Sequence, residues 1–312
     1  MSSFASPAYA SSTYASPADT SVHGTYRVPQ KPDDPRPLLR FDGRLGSPEF
    51  PAIPGRYHLY SGWFCPWAQR STAVLAVAGV DPSVVSVSSV HGDRDGRGWA
   101  FREPTGADPV NDFTLLRQAY EATEAGFDGH VSTPTLWDRE GGRVVSNTYA
   151  HLDRDLASTF GAEAGRDLYP VALRRAIDDA EAWLHPALNQ GVGAARADGA
   201  AGEVARVRLV ETLTALNEQL GDSTYLVGDQ LTIADLRVIV TLLRFDTQAN
   251  ADGALGPTLQ AYSHLWDYAR AVYQEPGVRA TTLFEAFAAP EADVAQWDRP
   301  SERIGGRLTR SR

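Results

Sequence analysis

The chain has one cysteine and one lysine in 312 residues. A lone cysteine rules out a disulfide framework and favours a cytosolic setting. Cationic charge is sparse as well: a formal net charge of −10 and a pI near 5.2 argue against nucleic acid as a partner. No run approaches the roughly 18 apolar residues of a membrane span. The N-terminus lacks a basic segment followed by an apolar core, so no signal peptide is expected. The seven histidines show no spacing with Asp or Glu that suits a metal. Lys31 is the single lysine among 29 cationic side chains, a bias that reads most simply as GC-rich coding.

What is present is an ordinary globular composition, 43% hydrophobic and 22% charged, in a chain long enough for two domains. The cysteine stands in Phe64-Cys65-Pro66-Trp67-Ala68-Gln69-Arg70, between a strand-like run at 57–60 and a helix-like run from 66 to 78. A thiol at a strand-to-helix junction faces unpaired backbone N–H groups and the positive end of the helix dipole, which favour the reactive thiolate form. Pro66 suits the first helical position. The C-x-x-C slot holds Ala68, so disulfide cycling within the chain is excluded and any second thiol must come from outside. The competing reading of Cys65 is a buried small hydrophobe.

Residues 1–30 are low in complexity, with Phe4-Ala5-Ser6-Pro7 nearly repeated as Tyr14-Ala15-Ser16-Pro17; they are expected to be disordered or draped over the surface. Residues 31–56 carry six prolines and should be extended. Strands are predicted at 83–88, 131–137 and 143–146, the last two joined by a Gly141-Gly142 hairpin. A helix should open after Asn147 and run through Phe160. The insert at 92–128 is polar, with a helix around 112–124. From Tyr169 the pattern is helical, with helices near 171–188, 201–220, 232–248 and 258–273. Thr232 and Asp235 form an N-terminal capping box. The tail from 290 to 312 reads as loose coil. The segments are 1–39 (extended or disordered), 40–165 (α/β), 166–289 (all-α) and 290–312 (tail).

Several blocks, taken together, resemble the glutathionyl-hydroquinone reductases, the Xi-class or Omega-like glutathione transferases. They are the run from Phe50 to Tyr60, Cys65-Pro66-Trp67-Ala68-x-Arg70, Gly98-Trp99-Ala100-Phe101, Pro134-Thr135-Leu136-Trp137-Asp138, Leu242-Leu243-Arg244-Phe245-Asp246 and Tyr273-Gln274-Glu275-Pro276-Gly277-Val278. The resemblance implies a thioredoxin-like N-terminal domain, an all-α C-terminal domain, a homodimer, and no tightly bound cofactor. It implies that the Cys65 thiolate attacks the sulfur of a thioether joining a small thiol to a hydroquinone, and that a second thiol resolves the mixed disulfide. By the same resemblance Pro66, Trp67, Trp99, Thr133 and Pro134 belong to the thiol site, with Pro134 as its cis-proline. Arg244 and Asp246 are expected to form an interdomain or dimer ion pair.

The chain departs from the family where the hairpin strand ends. The family's Asn-Glu-Ser, which holds the γ-glutamyl group of glutathione, is here Asn147-Thr148-Tyr149. Losing a charge-assisted pair typically costs a few kcal/mol, unless Asp153 or another acid substitutes. Two family tyrosines near the quinone are also absent, one of them matched by Gly193. Phe284 and Phe287 offer aromatic packing there without a hydroxyl. GC-rich coding and the missing acid together point to mycothiol, a cysteinyl amino-sugar inositol, in place of glutathione as co-substrate. Two other readings share the fold: a tailoring thiol transferase or lyase acting on an aromatic metabolite, and a non-catalytic binding protein.

Overall fold

The protein is described here from a computed structural model covering residues 14–29 and 34–301. The expectations for 1–13, 30–33 and 302–312 lie outside the described residues.

Residues 14–29 drape over the insert that follows the second strand. A one-turn helix, α1 (Thr20–His23), is capped by the Asp19 carboxylate, which accepts from the Ser21 and Val22 N–H groups. The segment is pinned from below: Gly96 N–H donates to Gly24 O at 2.7 Å, and Arg102 Nε donates to Ser16 O at 2.8 Å.

β1 (Tyr57–Ser61) is the axis of a four-stranded sheet. It pairs in parallel with β2 (Val85–Ser89) and antiparallel with β3 (Thr135–Asp138), which pairs with β4 (Arg143–Ser146), giving the order β2-β1-β3-β4. All of β1 is buried, as a central strand covered on both faces must be. Tyr57 and Leu59 face helices, while Tyr60 packs with Phe101, Tyr120 and Trp137 under the insert and α3 (Arg117–Thr123). β3 begins one residue later than Pro134, which has no N–H to give a ladder. β2 begins at Val85 rather than Ser83, because an Asp81 turn holds the Ser83 and Val84 N–H groups.

His58 lies on the insert side of β1 with no exposed surface, its two ring nitrogens bonded to the Ser86 and Ser88 hydroxyls at 2.7 and 2.8 Å. Burial pulls its pKa from 6.5 down to about 3. The neutral folded form therefore loses ground to an unfolded chain that takes up a proton below pH 6.5. Stability should fall by about 1.4 kcal/mol per pH unit on this account as pH drops from 6.5 toward 3. His58→Asn should flatten that part of the slope in urea unfolding measured from pH 6.5 to 4; an unchanged slope contradicts it.

α2 (Pro66–Ala78) follows β1 and stops at Gly79, whose left-handed φ of 78° brings its N–H onto the Ala76 and Leu75 carbonyls. α4 (Tyr149–Leu156) runs on into a π-helical turn at Ala157–Gly161. The rest is helical: α5 (Arg174–Leu184), α6 (Gly191–Ala195), α7 (Gly199–Asp222), α8 (Ile233–Arg244), α9 (Ser263–Tyr273) and α10 (Pro276–Ala280). Further π turns extend α5 at His185–Asn189 and α8 at Phe245–Ala249. The capping box forms: Asp235 accepts from Thr232 N–H at 2.8 Å, and also from Leu226 N–H and Tyr268 Oη–H. α10 crosses the back of α2 so closely that a Cβ at Gly277 would sit 2.5 Å from Val77 N.

Two expectations fail. The tail is not loose as far as Asp298: Trp297 is fully buried in a 3-10 turn and donates its indole N–H to Asp246 at 2.8 Å. Asp246 is thereby engaged, and Arg244 does not pair with it. Arg244 instead donates to the Gln69 amide oxygen and to Trp63 O, and lies 4.0 Å over the Phe287 ring. Successive residues at the end of a helix point about 100° apart, so Arg244 turns toward α2 and Asp246 toward the tail. Among the described residues, no helix is long and apolar enough to cross a membrane.

Candidate active site

Cys65 is the N-cap residue of α2, with extended dihedrals (φ −91°, ψ 117°) and no side chain capping the helix. The first-turn N–H groups of α2 thus have no side-chain acceptor, and Pro66 removes one of them at no cost. Cys65 is 8% exposed, and its Sγ donates to Thr133 O at 3.3 Å. That carbonyl precedes a cis peptide bond to Pro134. Among the described residues nothing accepts from the Thr133 N–H.

A cleft of about 630 Å³ opens on this thiol. One wall is Trp67, stacked on Tyr149 at 4.3 Å between centroids, with the Arg70 guanidinium 4.4 Å from the Trp67 ring. The other is Trp99, stacked on Phe64 at 4.2 Å. Ser132, Thr133 and Thr148 complete the base, and Leu38 and Leu39 close the rim. Of the nine residues named from the sequence, Cys65, Pro66, Trp67, Trp99, Thr133, Thr148 and Tyr149 line the cleft. Pro134 stands behind Thr133. Asn147 is buried, and its amide is spent on Phe41 N–H and the Ser132 hydroxyl, so it supports the wall rather than forming it. Phe284, Phe287 and Gly193 do not line it.

No lining residue is acidic. The Thr148 hydroxyl donates to Phe41 O at 3.0 Å. Asp153 cannot serve as a substitute acid, because it is 1% exposed and doubly bonded by Arg237 at 2.6 and 2.7 Å. Gln69 bridges α2 to the helical part through Arg244 and the Thr282 hydroxyl. Burial holds the Arg244 guanidinium down near 10, and the nearby Arg70 cation adds to this. No general base contacts Cys65, so the arrangement suits a reaction in which sulfur itself attacks.

Among the residues that escaped the sequence reading are Arg94 and His130, which line the cleft, and Tyr26, which contacts both. Tyr26 Oη sits 2.9 Å from His130 Nδ1, and Arg94 Cζ lies 4.2 Å from both the Tyr26 and Trp99 rings. The nearness of Arg94 to Trp99 in sequence was the one available signal. A second cavity, of about 490 Å³, lies on the β2 side of α2 against Gln69, Leu75, Val85 and Val87. No thiol and no ionisable side chain is among its lining residues.

Comparisons agree with this geometry. Residues 172–271 match the family model for the glutathione S-transferase C-terminal domain. The chain is 35% identical over 257 residues to the glutathionyl-hydroquinone reductase YqjG of Escherichia coli K12, covering 78% of this chain and 76% of that one. It is 39% identical over 205 residues to the glutathionyl-hydroquinone reductase PcpF of Sphingobium chlorophenolicum, covering 63% and 64% respectively. The glutathione-bound crystal structure of E. coli YqjG superposes with a TM-score of 0.74 at 29% identity, over 81% of this chain and 89% of that one. A thioredoxin-like sheet carrying a monothiol at its first helix, an all-α second half and these relatives lead to one assignment: the chain is an enzyme of the glutathione transferase type and belongs to the glutathionyl-hydroquinone reductase family, the Xi class.

Proposed function

We propose that the protein reductively cleaves thioethers between a low-molecular-weight thiol and a hydroquinone or similar aromatic. The Cys65 thiolate attacks the thioether sulfur. The carbon–sulfur bond breaks, its electron pair and a proton go to the ring carbon, and the hydroquinone leaves. A mixed disulfide remains on Cys65. A second thiolate attacks its outer sulfur, regenerating Cys65 and releasing the disulfide of the small thiol. The observation that carries this reading is a lone thiol at a helix N-terminus facing a cleft with no second cysteine and, among the described residues, no base bonded to the thiol. In this reading the Thr133 N–H and O pair with the peptide-like part of the thiol as an added strand does, and Trp67, Trp99 and Tyr149 pack on it.

The relatives' names and the bound ligand of YqjG support glutathione as the thiol. The cleft favours a different one. It offers no carboxylate to a γ-glutamyl ammonium, while the Tyr149 ring stands where a sugar could stack. We therefore assign mycothiol, or a related sugar thiol, as co-substrate of a cytoplasmic homodimer. Intact mass after incubation with each thiol's disulfide should show a mycothiol adduct on Cys65 exceeding the glutathione adduct at equal concentration. Efficient glutathionylation with no mycothiolation sinks the assignment.

A further inference from the structure

The insert at 91–102 carries three arginines, and two are committed. Arg97 pairs with Asp95 at 2.7 Å and bonds the Ser16 hydroxyl; Arg102 donates to Ser16 O and Asp93 O. Arg94 has no hydrogen-bond or ion-pair partner among the described residues, although Asp93 is its neighbour in sequence. Its guanidinium is instead engaged by two aromatic rings, Tyr26 and Trp99, each with its centroid 4.2 Å from Cζ. Ring contacts of this kind use the guanidinium plane and leave the N–H donors along its edge free for a planar acceptor. Arg94 lines the Cys65 cleft, and no acid lines that cleft.

His130 lines it too, but burial and then Arg94 hold its pKa below the ordinary value, so it is neutral near pH 7. Among the described residues, Arg94 is therefore the only lining residue that carries a cation at that pH. Nor is Arg94 needed to hold the draped segment. Tyr26 Oη also accepts from Val131 N–H at 3.2 Å, and Gly96 N–H holds Gly24 O. A half-buried cation without a counterion among the described residues, in the cleft that holds the reacting thiol, stabilises whatever anion enters.

We propose that Arg94 is the carboxylate receptor of this cleft, binding a carboxylate on the aromatic half of the substrate or, where glutathione rather than a carboxylate-free sugar thiol is used, on the thiol half. The substrate assignment rests on the thioether-cleaving reading; the receptor assignment rests only on Cys65 sharing the cleft.

The lone cysteine makes the test direct, because every thiol signal comes from Cys65. Two aromatic disulfides serve as probes: the dianionic 5,5′-dithiobis(2-nitrobenzoate) and the uncharged 4,4′-dithiodipyridine. With each, the Cys65 thiolate attacks one sulfur, the S–S bond breaks, and an aryl thiolate or thiopyridone leaves and is counted by absorbance. Arg94→Gln should lower the rate constant for the dianionic probe about tenfold, the effect of losing one charge-assisted pair. The rate for the uncharged probe should stay within about twofold, which shows that the wall stands. Arg94→Lys should fall between, and salt should narrow the gap for the wild type only. Equal losses with both probes, or no loss with either, overturn the receptor.

Turnover then locates the carboxylate. Three hydroquinone thioethers are compared: acid on the thiol half, acid on the ring, and acid on neither. A wild-type preference for one acidic thioether that disappears in Arg94→Gln identifies the source. Equal kcat/KM for all three overturns the substrate claim. Failure to cleave any of them, with the probe difference intact, removes the thioether reading and leaves the receptor standing.

Discussion

Cys65→Ser is expected to bring thioether cleavage down to background, a loss of at least about 10³-fold for removing a sole nucleophile. Serine keeps the size of the side chain and can still donate to Thr133 O, so the fold should change little. What it loses is ionisation. A hydroxyl becomes a useful nucleophile only with a base beside it, and Cys65 contacts none: its one side-chain bond is to a backbone carbonyl. His130, the imidazole lining the cleft, is bonded to Tyr26 instead. Steady-state rates on a hydroquinone thioether give one readout. Intact mass gives another, since the wild type should gain one thiol residue and lose one hydrogen while Cys65→Ser gains nothing. Residual activity within tenfold of the wild type would mean that the attacking group is elsewhere.

The site's centre was legible because it is local. A strand, a cysteine, a proline and an amphipathic run lie within about twenty residues, and each constrains its neighbour. The Thr133-Pro134 step and the missing acid at Thr148 were legible only through the family resemblance, as a match and a departure. The walls were not legible, because each joins segments far apart. Arg94 has a role only once Tyr26 has crossed the insert to meet it and Trp99 has turned inward. The Arg244–Asp246 pairing failed for a related reason: closeness in sequence says nothing about which side of a helix end faces which partner. Trp297 was hidden in a charged tail, where one aromatic among polar residues was the only sign of burial. The π-helical turns left no trace in the apolar periodicity. In the helical half, α8 did carry a clue. It is buried at every position, including Arg237 and Arg244, and a cation in such a helix demands either a partner or a use.

Arg237 has a partner, and breaking that pair should be the costliest change outside the active site. Asp153→Ala is expected to destabilise the protein by about 3–5 kcal/mol, the range for removing one member of a buried ion pair. Asp153 comes from α4 and Arg237 from α8; Glu181 of α5 meets Arg237 Nη1 at 3.1 Å, and Arg70 of α2 lies against the same group with no acid bonded to it. Burial alone would raise the Asp153 carboxyl, but Arg237 and then Arg70 hold it below the ordinary range. The charges balance as two guanidiniums against two carboxylates across the junction of the sheet-bearing and helical parts. Asp153→Ala leaves two buried cations facing Glu181 alone. Removing both members restores the balance: in Asp153→Leu/Arg237→Leu, Arg70 and Glu181 remain as one cation and one anion. The double variant should therefore be more stable than either single variant, with a coupling free energy of at least about 1 kcal/mol. Urea unfolding of the four proteins measures this at neutral pH. The linkage sign gives a second check. Because the folded pKa of Asp153 is depressed, its contribution is complete above the unfolded value near 3.9 and is lost as pH falls through the folded one. The deficit of Asp153→Ala should accordingly be full at pH 7 and shrink only in acid. A single-variant loss below about 1 kcal/mol, the size of a surface pair, would mean that water reaches the cluster and that other contacts hold the two parts of the fold together.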